Sequence, residues 1–184
     1  MARGSIMKEL TNHIQESIQE AVGSDKFDPK NYATAEEYVN ANQGNIWYHS
    51  TEFDGDIDKF NSTEVWFESQ GMPGYGERDV AILYDIQKPF VTTPDEDLQN
   101  DYGVTPEEAE QNAKLYAEWG GESNPESFQH MRDLGYDTLI DSEGHCALYP
   151  DKVKVVGQHM VINKHNVPDA DAMLTKIWLG EEAQ

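Results

Sequence analysis

Four residues in a row, Tyr48-His49-Ser50-Thr51, put an imidazole between a phenol and two hydroxyls, a set able to hold a polar ligand. Taken alone, a histidine beside aromatics at a strand end also serves as a hydrogen-bonded structural residue. His145 and Cys146 are adjacent, with His159 and His165 downstream, which raises a zinc or nucleophile question. Neighbours on a strand face opposite ways, so one metal cannot easily use both. The ordinary reading of Cys146 is a small buried thiol. Asp54-Gly55-Asp56-Ile57-Asp58 followed by Glu64 suggests calcium. A calcium-binding helix–loop–helix needs glycine sixth and glutamate twelfth. Lys59 holds the sixth place and Glu64 the eleventh, so a solvated hairpin is expected and no metal. No Gly-x-Gly-x-x-Gly run and no phosphate-binding lysine loop occurs, which removes the usual helix-terminus route to a nucleotide.

The elements that would position these residues are readable from periodicity. Ile6, Leu10, Ile14, Ile18 and Val22 recur every four residues, predicting an amphipathic helix stopped by Gly23-Ser24-Asp25. Thr34 with Glu37 forms a capping box for a short helix ending near Gly44. Ile46–His49, Val65–Phe67 and Asp79–Ile86 predict three strands, and Pro89-Phe90-Val91 is expected to extend or edge the third. Thr105, Pro106 and Glu108 open a helix that ends at Gly120-Gly121. Asn124-Pro125 opens another, with Phe128, Met131 and Leu134 as its stripe and Gly135 as a left-handed cap. Strands are expected at Tyr136–Ile140, Cys146–Tyr149 and Val153–Val156. A last helix carries Met173, Leu174, Ile177 and Trp178. The order helices, strands, helices, strands predicts an α+β fold.

Several of these segments, in order, resemble the ADP-ribosyltransferase-like domains of phage polyvalent proteins and related toxins. Tyr32 to Val39 is similar to the helix before that family's first strand, and Tyr48-His49-Ser50-Thr51 to its Tyr-His-Gly-Thr. Trp66-Phe67 is similar to its second strand, and Asp79 to Val91 to its "Val-Tyr-Leu-Asn-Ile-Lys-Asn-Pro-Leu-Val" strand. Leu134 to Ile140 followed by Leu148 to Lys154 is similar to its "Gly-Tyr-Asp-Gly-Ile-Ile" and "Val-Phe-Asp-Pro" segments. The likeness covers about Asn31 to Val156 and implies a split, two-sheet antiparallel β core with flanking helices. It implies NAD⁺ as substrate, with ADP-ribose passed to a protein acceptor. By position, His49 would hold a ribose hydroxyl, Ser50 would offer its backbone and Thr51 a supporting hydroxyl. Trp66 and Phe67 would line the cleft, Tyr75 would stack on nicotinamide and Glu143 would be the catalytic carboxylate. The chain departs from the pattern in three places. Ser50 stands for glycine, Glu68–Arg78 is short and Gly/Pro-rich, and the strand register of the catalytic glutamate falls on Gly144 or His145.

Charge shapes the expected partner. There are 35 acidic against 13 basic residues, a net charge of −22. Such a surface repels phosphate backbones, so direct nucleic-acid binding is not expected; the charge fits solubility or adaptation to a salty medium, and equally a basic protein target, which is the partner expected here. The alternative class is a catalytically degenerate, acidic phage-type binding protein, or a DNA mimic that inhibits a host nucleic-acid-binding protein. With 38% hydrophobic residues the chain can build a core. One cysteine, a polar Met1–Gly23 and no long apolar run set the expectation of a cytoplasmic protein without a membrane span. The expected layout is an N-terminal helix and linker over 1–30, the main domain over 31–160, and a C-terminal helix packed on it over 161–184.

Overall fold

A computed structural model describes residues 26–53, 55, 57–69, 76, 78–160 and 169–181. The expected helix of Ile6–Val22, the Asp54 and Asp56 carboxylates, Tyr75 and His165 lie outside the described residues. In chain order the elements are α1 (Ala35–Asn42), β1 (Ile46–Thr51), β2 (Val65–Phe67), β3 (Arg78–Leu83) and β4 (Pro89–Val91). There follow α2 (Glu96–Asp101), α3 (Pro106–Glu118), α4 (Pro125–Asp133), β5 (Thr138–Ile140), β6 (His145–Ala147), β7 (Lys154–Met160) and α5 (Ala170–Leu179). The fold is mixed α+β with two sheets.

The chain divides into two compact units, Met1–Gly44 with Asp169–Glu182, and Asn45–Pro168 with the last two residues. In the first, α1 packs against α5. Thr34 Oγ1 accepts from the Glu37 amide at 3.2 Å, while the Glu37 carboxylate reaches one residue further back, to the Ala33 amide at 3.0 Å. Tyr38 is fully buried, with Tyr32 edge-on to its ring at 5.2 Å, and α5 buries Met173 and Leu174. The Trp178 indole donates to the Tyr32 carbonyl at 3.4 Å.

The second unit holds both sheets. β1, β3 and β7 form an antiparallel sheet in the order β1-β3-β7, with a register shift at Ala81/Ile82. The other sheet runs β2-β6-β5-β4. β2, β6 and β5 are antiparallel neighbours, but β4 pairs with β5 in parallel, so the core is not wholly antiparallel. Pro89–Val91 therefore does not prolong the third strand; it belongs to the other sheet. The Asp137 side chain explains the change of direction. Its Oδ2 accepts from the Gln87 and Lys88 amides at 2.9 and 2.8 Å, docking the chain beside β5 as it leaves β3.

Strand alternation gives the four-stranded sheet two apolar faces. Val65, Phe67 and Ala147 join Val80, Ile82, Tyr84 and Val153 in a core between the sheets. Cys146, Leu139, Leu148 and Phe90 pack on the other face against Phe128 and Met131 of α4. The helices on that face are well capped. Thr105 and Glu108 make both bonds of a capping box, and Gly135 at φ 81° closes α4 in the left-handed conformation expected of it. α2 was not expected from sequence; its start is the Asp95 side chain, which accepts from the Asp97 and Leu98 amides.

Candidate functional site

β1 alternates buried and half-buried positions, so Trp47, His49 and Thr51 share the more open face and Ile46, Tyr48 and Ser50 the closed one. His49 is fixed by its neighbour strand. Its Nδ1 lies 2.7 Å from the Trp66 carbonyl, and Phe60 stands edge-on at 4.9 Å. A carbonyl only accepts, so Nδ1 carries the proton, and in the neutral ring Nε2 presents a lone pair. This is a preset acceptor that a ligand hydroxyl can meet.

Ser50 is turned the other way. It is 7% exposed, and its hydroxyl donates to Asp79 Oδ1 at 2.6 Å across the Ser50–Asp79 register pair. The Cβ that serine adds relative to glycine thus points to the closed face and fastens β1 to β3. The backbone at Ser50 remains on β1 beside His49. Thr51 Oγ1 accepts from the Phe53 amide at 3.1 Å, shaping the turn out of β1. Tyr75 is outside the described residues, but Gly76 is placed. A Cβ there would overlap the Thr51 carbonyl group, so Gly76 itself lies against the end of β1.

Trp66 and Phe67 split between the two faces. Trp66 packs its side chain against the core under α4, and it is its carbonyl that holds His49. Phe67 is fully buried between Trp47, Tyr84 and His145, with ring centroids at 5.1, 5.6 and 5.8 Å. Glu143 lies exposed in the turn between β5 and β6, where its amide donates to Asp141 Oδ1 at 2.8 Å. Burial raises the Asp141 carboxyl above its usual range, and the hydrogen bond from the Glu143 amide offsets part of the shift. The described contacts therefore gather His49, Phe60 and the Trp66 carbonyl, and join them through the apolar cluster of Phe60, Trp47 and Phe67 to His145; Glu143 is not among them.

A further set was not legible in the sequence. His145 is 5% exposed, yet both ring nitrogens have polar partners. Nε2 lies 3.0 Å from the Tyr102 hydroxyl and Nδ1 lies 3.4 Å from Glu68 Oε1. Because a carboxylate only accepts, Nδ1 is the protonated nitrogen and the phenol donates to Nε2. Trp47 covers the ring at 4.9 Å and Phe67 stacks on it with an interplanar angle of 21°. Tyr102 is pushed up to about 12 by burial, reinforced by Asp101 and Glu68, and so keeps its proton. Gly144 admits the carboxylate: at φ 136° it has no side chain, and a Cβ there would overlap Glu68 Oε1.

His145 and Cys146 do face opposite ways, one toward Trp47 and Phe67, the other into the core with Phe90 and Leu139. Burial raises the Cys146 thiol well above its usual value, which leaves it a poor nucleophile. Among the described residues no group of three or more His, Cys, Asp or Glu is placed to hold a metal ion. Among them, too, no helix is long and apolar enough to cross a membrane. Comparison of the chain with protein-family models, with curated proteins and with solved structures finds no match.

Proposed function

We propose that this protein binds NAD⁺ along the open face of β1 and transfers its ADP-ribose to a basic protein, as the ADP-ribosyltransferase-type resemblance implies. The observation that carries this reading is the fixed imidazole of His49, bonded through Nδ1 to the Trp66 carbonyl where β1 of one sheet meets β2 of the other. A neutral Nε2 accepts from a ribose hydroxyl without reorganising, because the other nitrogen is already committed. The two-sheet α+β architecture supports the same reading, as does the polar run His49-Ser50-Thr51 at a strand end. A net charge of −22 favours a cationic acceptor surface over a nucleic acid.

A second reading has its own support. Glu143, the carboxylate assigned by the resemblance, sits exposed on a turn, and the chain has 35 acidic residues. On this reading the protein is a catalytically degenerate, acidic binder of a basic host protein. One experiment separates the two. NAD⁺ is titrated calorimetrically into wild-type protein and into His49→Ala, with nicotinamide release followed in the same samples. Binding and release by wild type, with binding lost in a folded His49→Ala, supports the transferase. No binding at millimolar NAD⁺ removes it and leaves the binder.

A further inference from the structure

Glu68, His145 and Tyr102 come from three separate parts of the chain, His145 standing 77 positions after Glu68 and 43 after Tyr102. Bringing a histidine into a site that leaves it 5% exposed has a desolvation cost unless both nitrogens are partnered, and here both are. One end of this hydrogen-bonded run is the half-buried Tyr102 phenol, held neutral; the other is the Glu68 carboxylate, whose side chain keeps 29% of its exposure. The arrangement is thus a buried imidazole between a phenol and a partly exposed carboxylate. Its position matters as well. Glu68 makes the paired backbone bonds to Tyr48, the residue before His49, at 2.8 and 3.0 Å. Gly144 is the glycine that leaves room for that carboxylate.

We infer that Glu68, rather than Glu143, is the carboxylate that meets the ligand, with His145 and Tyr102 as positioning residues that set its orientation. The ligand class is a sugar carrying hydroxyls next to a centre that gains positive charge. Resting on the NAD⁺ reading, the step is the following. The C1′–N bond between ribose and nicotinamide breaks, and its electron pair leaves with the nitrogen, which becomes neutral. The ribosyl cation is faced by the Glu68 carboxylate, which forms no bond to it. A lone pair of the acceptor forms the new bond at C1′, and the acceptor's proton passes to water. Glu68 acts only where charge develops, so its loss acts on the rate of bond breaking more than on affinity. His145 contributes by donating from Nδ1, and Tyr102 by donating to Nε2 and so fixing that tautomer.

The test uses Glu68→Gln and Tyr102→Phe, both close to isosteric, in the full chain. Three quantities are measured: NAD⁺ affinity by calorimetry, the rate of nicotinamide release, and the His145 ring nitrogens by long-range proton–nitrogen NMR of ligand-free protein. The expected result for Glu68→Gln is affinity within about twofold of wild type and release slower by about 10²-fold or more. Tyr102→Phe is expected to slow release by about 3- to 10-fold at unchanged KM and to change the His145 tautomer signature. Full release by Glu68→Gln together with loss of release in Glu143→Gln overturns the assignment. If wild type neither binds NAD⁺ nor releases nicotinamide, the NAD⁺ reading and Glu68's role in it both fall. The NMR measurement then judges the support by itself: His145 signals unmoved by both variants overturn the positioning role.

Discussion

Gly144→Ala tests the close approach of β6 to Glu68 most directly. Gly144 has φ 136°, a backbone conformation that costs an L residue about 1–3 kcal/mol. Its new methyl would also overlap Glu68 Oε1. That oxygen ends a rotatable side chain, so the overlap is relieved by swinging the carboxylate away, which gives up the contact to His145 Nδ1. Losing one such hydrogen bond adds about 1 kcal/mol. Against this, alanine removes unfolded-state entropy, an offset of about 0.4–1 kcal/mol. The net destabilisation expected is about 1–3 kcal/mol, or a fall in Tm of about 2–12 °C for a chain of this size. Thermal and urea unfolding followed by circular dichroism measure it. In a Glu68→Ala background the backbone part persists and the carboxylate part vanishes, so the same substitution costs about 1 kcal/mol less there. Gly144→Ala that melts with wild type refutes the backbone argument. An equal cost in both backgrounds refutes the approach of Glu68.

Thr105→Ala removes the side chain that accepts from the Glu108 amide, and about 1 kcal/mol of stability with it, a fall of about 2–4 °C in Tm. Thr105→Ser keeps the hydroxyl and is expected to restore most of the loss in the same melt. Tyr38 and Tyr102 are both pushed up to about 12 by burial, whereas a phenol in the unfolded chain ionises near 10. The folded state keeps protons that the unfolded state has released. The resulting stability is complete below pH about 10 and is lost as pH rises through about 12. Phenolate absorbance during alkaline titration follows this, and ionisation of all nine tyrosines near pH 10 in folded protein would contradict it.

What the sequence revealed divides by the range of the interaction. Val65-Trp66-Phe67 and Thr105-Pro106 with Glu108 declare themselves through residues no more than three apart, and they form as their spacing demands. Pro89–Val91 misleads because its side chains identify a strand and nothing local names the partner; the deciding group, Asp137, lies about fifty residues on. α2 has no long apolar stripe to announce it, only an acidic cap. His49 was legible as a residue of interest from its polar neighbours, but its fixed ring depends on a carbonyl 17 residues away. His145 has Cys146 as its neighbour in sequence, while its partners in space are Glu68 and Tyr102. Ser50 reads as an obstruction when compared with a glycine, and only strand pairing shows its side chain turned onto Asp79.

The Tyr48–Glu68 pair has a consequence for how errors spread through this fold. It is an isolated bridge between β1 and Glu68, at the end of β2, so it acts as an indexing pin between the two sheets where a full ladder would act as a zip. A zip resists sliding by many rungs; a pin resists it only at one place, yet sets the alignment of everything on either side. Were β1 to seat one residue off, each of its side chains would exchange faces. His49 would then turn inward and Ser50 outward, and the Trp66 carbonyl would lose its imidazole. The chemistry of the open face is thus tied to this one pairing between the sheets as well as to the ladder of β1 with β3, and a proline at Tyr48 would remove an N–H of the pin while leaving His49 and Glu68 in the sequence.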